Sequence, residues 1–292
     1  MARRYGNISF LTDYGTVDEF VGVVHAVIAD LAPHARVIDL THQIPAHDVR
    51  AGALALVRAV QYLPSGVVLA VVDPGVGTAR KAIAVEVAGG EAVFVGPDNG
   101  LLAPAIAMCG GGERAVLLTN PGFQLPAPGV TFAGRDVFAP ADAHLCNGVD
   151  LAELGEPVDP GVLLPGIVPL PRPEAGSIVC EILWVDRFGN CQLNVGPEDV
   201  DGWGDRVRLR YADTTRAATV SATYGTIGGG IGLVVDSYGM LSVCLDRRSA
   251  ADELGLAVGD AVTLARLDGD HGDEGTAGDG GISVRLGPPT RR

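Results

Sequence analysis

The residues best suited to chemistry are an acidic and a basic side chain on either side of a tight turn. Asp73 comes at the end of Val67–Val72, an apolar, β-branched run typical of a buried strand. Pro74-Gly75-Val76-Gly77 ends that strand and favours a sharp reversal, after which Arg80 returns toward Asp73. Ligands bind at this edge of open α/β sheets. The pair predicts either a site or a structural turn with a surface ion pair.

A second acidic residue, Asp13, occupies a similar position. The residues Ile8–Thr12 read as a short buried strand, and the apolar spacing within Val17–Leu31 predicts a helix. Asp13 falls in the turn between them. A carboxylate there can accept both hydroxyls of a ribose, or it can serve only as a helix cap. The residues alone leave both interpretations open.

Two histidines follow the next predicted strand, Val37–Leu40. His42 and His47 stand on either side of a proline, and their spacing does not place them on one helical face. A metal site formed by this pair would need a third ligand. We therefore interpret His42 as structural and predict no metal site.

The alternation of strands and helices predicts an α/β N-terminal domain with a mostly parallel sheet over residues 1–157. Residues 158–176 are rich in proline and read as a linker between domains. Short alternating strands over residues 177–267 predict a small C-terminal antiparallel β-barrel. Glycine and aspartate dominate residues 268–292, which predicts a flexible acidic tail.

Composition excludes several classes of function. The chain has 292 residues with 21 basic and 35 acidic side chains, a net charge of −14 that disfavours a nucleic-acid surface. Its 5 cysteines show no C-x-x-C spacing, so we expect reduced core residues rather than disulfides or a zinc site. No apolar run is long enough to cross a bilayer, which predicts a soluble, cytoplasmic protein without a membrane partner.

Several motifs together resemble the S-adenosylmethionine hydroxide adenosyltransferases, relatives of the S-adenosylmethionine-dependent fluorinase and chlorinase. In chain order these motifs are Thr12-Asp13-Tyr14-Gly15, Asp39-Leu40-Thr41-His42, Val72–Arg80, Gly96–Leu101, Phe132-x-Gly134-Arg135-Asp136, Asp186-x-Phe188-Gly189-Asn190 and Ser237-x-Gly239. The match spans residues 7–267. The resemblance implies an α/β domain followed by a β-barrel. It also implies a homotrimer whose sites lie between the N-terminal domain of one subunit and the C-terminal domain of the next.

The resemblance further implies a reaction in which a nucleophile displaces L-methionine from C5′ of the ribose, with S-adenosylmethionine as substrate and no other cofactor. By position, Asp13 would hold the ribose hydroxyls, and Asp186 with Ser237 would bind the methionine amino group. The adenine would contact Phe188 and Asn190. Further implied substrate contacts are His47, Phe132, Gly134, Tyr224, Tyr238, Ser242, Leu245 and Arg247.

Position 73 distinguishes the two kinds of enzyme in this family. Halogenases carry a tyrosine or another non-acidic residue there, because a carboxylate would repel a halide. Asp73 with Arg80 therefore predicts water or hydroxide as the nucleophile, and both residues are predicted to be catalytic. The predicted activity is hydrolysis of S-adenosylmethionine to adenosine and L-methionine. The family's hydrolases favour the R-sulfonium epimer, a preference that no residue here explains. A halogenase and a non-catalytic adenosine-binding protein are the alternatives.

One residue departs from the hydrolase pattern. Hydrolases usually carry a histidine between Phe132 and Gly134, and this chain has Ala133. His144, about three turns into the helix predicted to follow, is interpreted as structural rather than as a substitute. Loss of one positioned acid–base group commonly lowers a rate by about 10²–10⁴-fold without abolishing binding. We therefore expect retained ligand binding with weak hydrolysis.

Overall fold

A computed structural model describes residues 5–267, which fold into an α/β domain followed by a β-barrel. The strands of the first domain form one sheet in the order β2-β1-β3-β5-β4-β6-β7. They are β1 (Asn7–Thr12), β2 (Arg36–Thr41), β3 (Gly66–Val71), β4 (Ala82–Val87), β5 (Ala92–Pro97), β6 (Arg114–Leu117) and β7 (Glu156–Val158). Strands β2, β1, β3 and β5 are parallel, and β4, β6 and β7 extend the sheet by antiparallel pairs.

Helices cover both faces of this sheet. They are α1 (Phe20–Leu31), α2 (Val49–Val60), α3 (Ala103–Met108) and α4 (Ala139–Cys146), the last preceded by a π-helical turn at Gly134–Phe138. Helices α1 and α4 pack together in one core, while α2 and α3 belong to a second core. Every residue of β3 is buried, as its unbroken apolar sequence predicts for a central parallel strand. The surrounding core therefore holds the carboxyl end of β3, which Asp73 follows closely, in place.

Helix α1 begins later than its apolar spacing predicts. The sequence predicts a start at Val17, but the structure places the first helical residue at Phe20. Val17 is 96% exposed and is not among the described residues packed against the core, whereas Val21 and Val24 of the helix are. The N-cap of α1 is Glu19. Asp13 is thus not the cap of this helix, which removes one of the two interpretations of that residue.

The second domain is a closed barrel of seven strands. Its strands run in the order β10-β14-β13-β12-β11-β15-β9, and a further pairing of β9 with β10 closes the ring. The bounds are β9 (Ser177–Val185), β10 (Cys191–Leu193), β11 (Arg206–Tyr211), β12 (Thr214–Ser221), β13 (Ile231–Val235), β14 (Leu241–Cys244) and β15 (Ala261–Arg266), with one helix, α5 (Ala250–Leu254). All these pairs are antiparallel except β12 with β13, which pair in parallel across a long connection. The predicted barrel is confirmed.

The predicted linker carries strands at its two ends. Strand β7 ends at Val158 and belongs to the first sheet, while β8 (Arg172–Glu174) pairs with β9 of the barrel. The two domains also touch directly, since Arg50 Nη2 lies 2.5 Å from Glu181 Oε1 and the Arg58 guanidinium lies 4.2 Å from the centre of the Trp184 ring. The predicted tail, 268–292, lies outside the described residues.

The predicted core location holds for four of the five cysteines. All of the cysteines are free, and each is buried except Cys109, which is half-buried. None of the helices within residues 5–267 combines the length and apolar character that a bilayer-spanning segment needs.

Candidate active site

The Asp73–Arg80 pair is buried rather than a surface ion pair. The two side chains are 6% and 11% exposed. Arg80 Nε donates to Asp73 Oδ1 at 3.0 Å, and Arg80 Nη2 donates to Asp73 Oδ2, so the guanidinium holds the carboxylate with two bonds. The guanidinium also lies 5.4 Å from the centre of the Phe138 ring. A two-point charged contact of this kind fixes the orientation of the carboxylate as well as its position.

Hydrogen bonds within the turn keep the two charges together. The amide of Val76 donates to the Asp73 carbonyl, and the Thr78 hydroxyl donates to the Gly75 carbonyl at 2.6 Å. Gly77 has φ of +77°, a conformation that a residue with a side chain rarely adopts. The glycine and proline pattern of the sequence therefore produces the predicted reversal.

A cavity of about 250 Å³ opens beside Asp73 at the carboxyl edge of the sheet, and we call it the N-terminal cavity. It is lined by Asp13, Tyr14, Phe20, Ala46, His47, Val71, Asp73, Val76, Thr131, Phe132, Ala133 and Gly134. The structure thus brings together five residues that the sequence singled out for substrate or catalysis, and it does so at the edge where parallel sheets bind ligands.

Asp13 is held by the backbone of His47. The amide of His47 donates to Asp13 Oδ2 at 2.9 Å, and His47 itself adopts φ of +68°. A positive φ at a residue with a side chain costs free energy, which indicates a constrained local structure. Asp13 Oδ1 accepts no hydrogen bond from the residues that the structure describes. One carboxylate oxygen thus positions the side chain and leaves the other for a ligand.

An aromatic wall closes one side of the N-terminal cavity. The rings of Tyr14, Phe20 and Phe132 lie 5.0–5.8 Å apart, two of the three pairs in edge-on contact. Burial raises the pKa of the Tyr14 phenol, the negative charges of Asp13 and Asp73 raise it further, and Arg80 opposes them. Tyr14 therefore stays a neutral hydroxyl. Position 134 requires glycine, because a Cβ there would collide with the Tyr14 hydroxyl.

Tyr14 and Phe20 line the cavity but were not among the predicted site residues. Tyr14 directly follows Asp13 in a recognised motif, which is a signal that could have identified it. Phe20 carries no comparable signal, because the apolar spacing of α1 assigns it to the helix face that packs on the core.

Ala133 lies beside the ion pair, at the wall of two neighbouring cavities. It lines the N-terminal cavity with Asp73, and it also lines a neighbouring cavity with Arg80. His144 is not among the lining residues of either cavity in the described chain; its ring packs edge-on against Phe123, and burial lowers its pKa. His144 therefore does not replace a histidine at position 133.

Two hairpin turns of the barrel have the same construction. Asp186 begins the turn between β9 and β10, and Asp236 begins the turn between β13 and β14. In each turn, one oxygen of the aspartate accepts the amides two and four residues later, at 2.8–3.2 Å. In each, the fourth residue is a glycine with φ of +81°. The sequence shows this likeness as Asp-x-aromatic-Gly, and both aromatic residues, Phe188 and Tyr238, project from the turns as exposed side chains.

Adjoining cavities lie at these turns, and we call them the barrel cavities. The first, of about 450 Å³, is lined by Phe188, Asn190, Tyr224, Leu245, Asp246, Arg247, Arg248 and Ser249. The second, of about 280 Å³, is lined by Trp184, Asp186, Arg187, Phe188, Asn190, Gln192, Tyr224, Asp236, Ser237, Tyr238 and Ser242. The predicted adenine contacts therefore line the first cavity, and the predicted methionine contacts line the second.

Asp186 accepts hydrogen bonds that stabilise its own turn, so it has a structural role besides any contact with a ligand. Its Oδ1 accepts the amides of Phe188 and Asn190, and its Oδ2 accepts the Asn190 side-chain amide at 2.8 Å. Asp236 was not predicted, yet its Oδ2 accepts Gln192 Nε2 at 2.6 Å and Ser242 Oγ at 3.2 Å. The two carboxylates give the second barrel cavity a negative character suited to an ammonium group.

The N-terminal cavity and the barrel cavities have no lining residue in common within residues 5–267. The barrel side is also open: Phe188 is 76% exposed and the Arg247 side chain is 89% exposed. Within one chain, the predicted site residues thus form two separate groups.

The comparisons with known proteins agree along most of the chain. A family model described as the SAM hydroxide adenosyltransferase N-terminal domain matches residues 8–155, and the C-terminal domain of the same family matches residues 180–263. An "(R)-S-adenosyl-L-methionine hydrolase" of Salinispora tropica is 47% identical over 258 residues, which cover 88% of this chain and 97% of that protein. A Thermus thermophilus protein of the same name is 42% identical, covering 88% and 98%. A fluorinase of an Actinoplanes species is 26% identical, covering 89% and 97%.

Solved structures share this fold. A conserved, uncharacterized protein from Thermotoga maritima superposes with a TM-score of 0.82 at 34% identity, covering 89% of this chain and 100% of that one. A conserved hypothetical protein from Thermus thermophilus has a TM-score of 0.69 at 38% identity, covering 90% and 100%.

Proposed function

The chain belongs to the SAM hydroxide adenosyltransferase family, and from that premise we propose that it hydrolyses S-adenosylmethionine, as the R-sulfonium epimer, to adenosine and L-methionine. The buried Asp73–Arg80 pair at the wall of the N-terminal cavity carries this proposal. A fixed carboxylate repels a halide but accepts hydrogen bonds from water. The identity of 42–47% to proteins named as hydrolases, against 26% to a fluorinase, supports the same choice of nucleophile.

The proposed reaction is a direct substitution at carbon. The oxygen of one water molecule forms a bond to C5′ of the ribose as the bond from C5′ to sulfur breaks. The electron pair of the broken bond stays on sulfur, so the cationic sulfonium becomes the neutral thioether of L-methionine. The water gives up one proton, which Asp73 is placed to accept. Since the sulfonium is already a good leaving group, the protein has to position and desolvate the water, and no further cofactor is required.

Asp73 keeps the capacity to bind that water. Arg80 occupies one lone pair on each oxygen of the carboxylate, and the remaining lone pairs can accept hydrogen bonds from water. Because the turn and the guanidinium fix the carboxylate before substrate arrives, the water is oriented without further rearrangement. This preorganisation is the main contribution of the pair to the proposed rate.

The N-terminal cavity suits the ribose and the reacting carbon. Its volume of about 250 Å³ is below the roughly 300–1,000 Å³ of complete small-molecule sites, so it accommodates part of the substrate. Asp13 Oδ1 is available to a ribose hydroxyl, since His47 holds the other oxygen. Phe132 and the His47 ring give apolar walls for the sugar.

The barrel cavities suit the two ends of the substrate. The aromatic rings of Phe188 and Tyr224, with the Asn190 side chain and the backbone near Leu245 and Arg247, provide a stacking and hydrogen-bonding surface for adenine. In the adjoining cavity, Asp186 with Ser237 offers oxygen acceptors to the methionine ammonium group. Tyr238 and Ser242 complete the wall of that cavity.

A complete site then requires a second copy of the chain, and we propose a homotrimer in which each barrel faces the N-terminal cavity of a neighbour. The separation of the two groups of lining residues supports this arrangement. The connection between the domains supports it as well, because it exposes large apolar side chains at Val162, Leu164, Ile167, Val168 and Leu170. Burial of such a patch against another subunit would stabilise the assembly.

Ala133 favours a second candidate function, which is binding of the same substrate with little or no turnover. The residue lies where hydrolases of this family usually carry a histidine, and its methyl group supplies no acid or base. The proposed hydrolysis therefore depends on Asp73 and Arg80 and is expected to be slow.

One incubation distinguishes these activities. The purified chain is mixed with each sulfonium epimer of S-adenosylmethionine, with and without chloride, and the products are separated by chromatography. Adenosine formed from the R epimer in both buffers supports the proposal. A chloride-dependent nucleoside would indicate a halogenase, and unchanged substrate that co-purifies with the protein would indicate binding alone; either result contradicts the proposed hydrolysis.

A further inference from the structure

Outside the N-terminal cavity, two histidines and one aspartate bring their polar atoms together. His25 Nε2 lies 2.9 Å from Asp39 Oδ1, and His42 Nε2 lies 3.1 Å from the same oxygen. The ligand atoms of all three residues lie within 4.8 Å of one another. His25 belongs to α1, Asp39 to β2, and His42 follows β2 directly, so each stands on or next to a regular element.

We propose that His25, Asp39 and His42 form a binding site for a divalent transition-metal ion of the zinc type. His42 was interpreted as structural because it needed a third ligand besides His47, but the fold gives it two other neighbours. Two imidazole nitrogens and one carboxylate oxygen are a ligand set typical of zinc, with a fourth position left for water.

The unsatisfied nitrogen of His42 is the observation that favours a metal over a simple ion pair. His42 is 6% exposed, and its Nε2 makes no hydrogen bond to any described residue despite its closeness to Asp39. If Nε2 carries the proton, the N–H direction misses the carboxylate. If Nδ1 carries it, the Nε2 lone pair points in that same direction, finds no donor and lies 3.1 Å from a negatively charged oxygen. A metal ion bound by both His42 Nε2 and Asp39 Oδ1 gives each atom a partner. Without the ion, a buried polar nitrogen that lacks a partner costs free energy.

A second layer of contacts holds the His42 ring in the orientation that a metal needs. His42 Nδ1 lies 2.8 Å from Thr12 Oγ1, and that oxygen also accepts the Tyr14 amide at 3.2 Å. The Phe10 ring contacts both imidazoles, with centroids 4.7 Å from His42 and 6.0 Å from His25. Partners at the far nitrogen of a metal-binding histidine fix its tautomer and direction.

The two nitrogen–oxygen contacts to Asp39 are compatible with zinc after a small adjustment, and the two histidine nitrogens lie within 4.8 Å of each other. Ligands about 2.0–2.1 Å from a tetrahedral ion lie roughly 3.3 Å apart, a few tenths of an ångström more than the two contacts to Asp39 Oδ1. The Asp39 and His25 side chains are 46% and 35% exposed, so they have room to move outward, while the buried His42 stays in place.

The ion would stiffen the turn that carries Asp13. The amide of Gly15 donates to the His42 carbonyl at 2.7 Å, and Thr12 contacts the His42 ring. Asp13 lies between these two attachments, so a metal that fixes His42 also restrains the turn between β1 and α1. The proposed role is a structural brace beside the N-terminal cavity and is independent of the proposed reaction.

The test is zinc binding to the full-length chain after treatment with a chelator. Isothermal titration measures the stoichiometry and affinity for zinc chloride, and the visible spectrum of the cobalt-substituted protein reports nitrogen ligation. The variants are His25→Gln and Asp39→Asn, both at partly exposed positions that should still fold. The control is His34→Gln, which removes a histidine whose Nε2 contacts the Cys146 carbonyl, away from the cluster.

We expect one zinc ion per chain, with affinity at least about 10-fold weaker in both variants and unchanged in the control. Zinc should also raise the melting temperature of the unmodified chain and of His34→Gln more than that of His25→Gln. The proposal is overturned if no saturable binding is measured. It is equally overturned if both variants bind as tightly as the control, since the ion would then bind elsewhere, for example at His271, which lies outside the described residues.

Discussion

The two groups of site residues differ in how far each is assembled within a single chain. In the N-terminal cavity the key charges are buried and already paired, with Asp73 and Arg80 at 6% and 11% exposure. At the barrel cavities the key rings are open to solvent, with Phe188 at 76% exposure. In the proposed function the first group is a preorganised chemical centre, and the second is a recognition surface completed by the ligand and by a neighbouring subunit of the proposed trimer. Changes in the two groups should therefore have different consequences.

The largest effect is expected from Asp73→Asn. The amide cannot accept a proton from water, so adenosine formation should fall by about 10²–10⁴-fold. The change also leaves the Arg80 guanidinium buried without its counter-charge, which should lower the free energy of unfolding by about 3–5 kcal/mol. Initial rates with the R epimer and chemical denaturation measure the two consequences.

The matched control is Asp213→Asn, at an exposed turn between β11 and β12. It should leave both rate and stability close to those of the unmodified chain. Equal rates for the two variants would show that Asp73 has no part in the reaction.

The next effect has the opposite sign. Ala133→His should raise the rate of hydrolysis by about 10²-fold or more, because it places an acid–base group between the cavities that contain Asp73 and Arg80. The comparison variant is Ala133→Gln, which fills similar space without an imidazole. Turnover measured across pH should show one more titrating group in the histidine variant than in the glutamine variant or the unmodified chain. An unchanged rate would mean that position 133 does not contribute to catalysis.

A change on the barrel side should affect binding and leave the fold intact. Phe188→Ala removes a ring that would stack on adenine, so KM should rise by about 10-fold with little change in kcat. Because the ring is mostly exposed, the melting temperature should stay the same. Val17→Ala, at another exposed apolar residue, is the control and should change neither value. A large loss of stability in Phe188→Ala would contradict the distinction between the two groups.

The smallest effect on activity is expected from Asp142→Asn, inside the N-terminal domain but outside its cavity. Asp142 is fully buried, its oxygens have no hydrogen-bond partner among the described residues, and burial raises its pKa well above the usual value. The folded state therefore keeps this proton while the unfolded state loses it as the pH rises above about 4, so stability falls toward neutral pH.

The asparagine variant loses this pH dependence. Its melting temperature relative to the unmodified chain should increase by a few degrees from pH about 4 to 7. Asp150→Asn is a control with the opposite pH dependence. The Ala152 amide and Arg114 lower the pKa of Asp150. The charged carboxylate therefore stabilises the fold at neutral pH, and this contribution is lost in acid. A constant difference between Asp142→Asn and the unmodified chain would contradict the assigned protonation.

The fold could be predicted in unusual detail because its signals are local. An unbroken apolar run such as β3 indicates a strand buried on both faces, and an alternating run such as β11 indicates a strand buried on one face. Glycine turns indicate where the chain reverses. The parallel pairing of β12 with β13 could not be read in this way, since it depends on how a long connection crosses the barrel. The start of α1 was also misplaced, because the exposure of Val17 is set by tertiary contacts.

For the site, the sequence singled out charged residues at strand ends and missed part of what surrounds them. Asp13, Asp73 and Arg80 follow strand ends and carry recognisable chemistry. Phe20 reaches the N-terminal cavity from a helix face that the pattern assigns to the core, and Asp236 supports Ser242 and Gln192 from a turn that resembles an ordinary hairpin. The cluster of His25, Asp39 and His42 depends on the approach of α1 to β2, which no spacing along the chain reveals.

The most direct measurement of the central claim is the origin of the oxygen atom in the product. The chain is incubated with the R epimer in water enriched in the heavy oxygen isotope, and the adenosine is examined by mass spectrometry. Attack by a water held at Asp73 predicts adenosine that carries the heavy isotope at its 5′ hydroxyl. Adenosine without the label, or a 5′-halogenated nucleoside in its place, would contradict the assignment of Asp73 and Arg80.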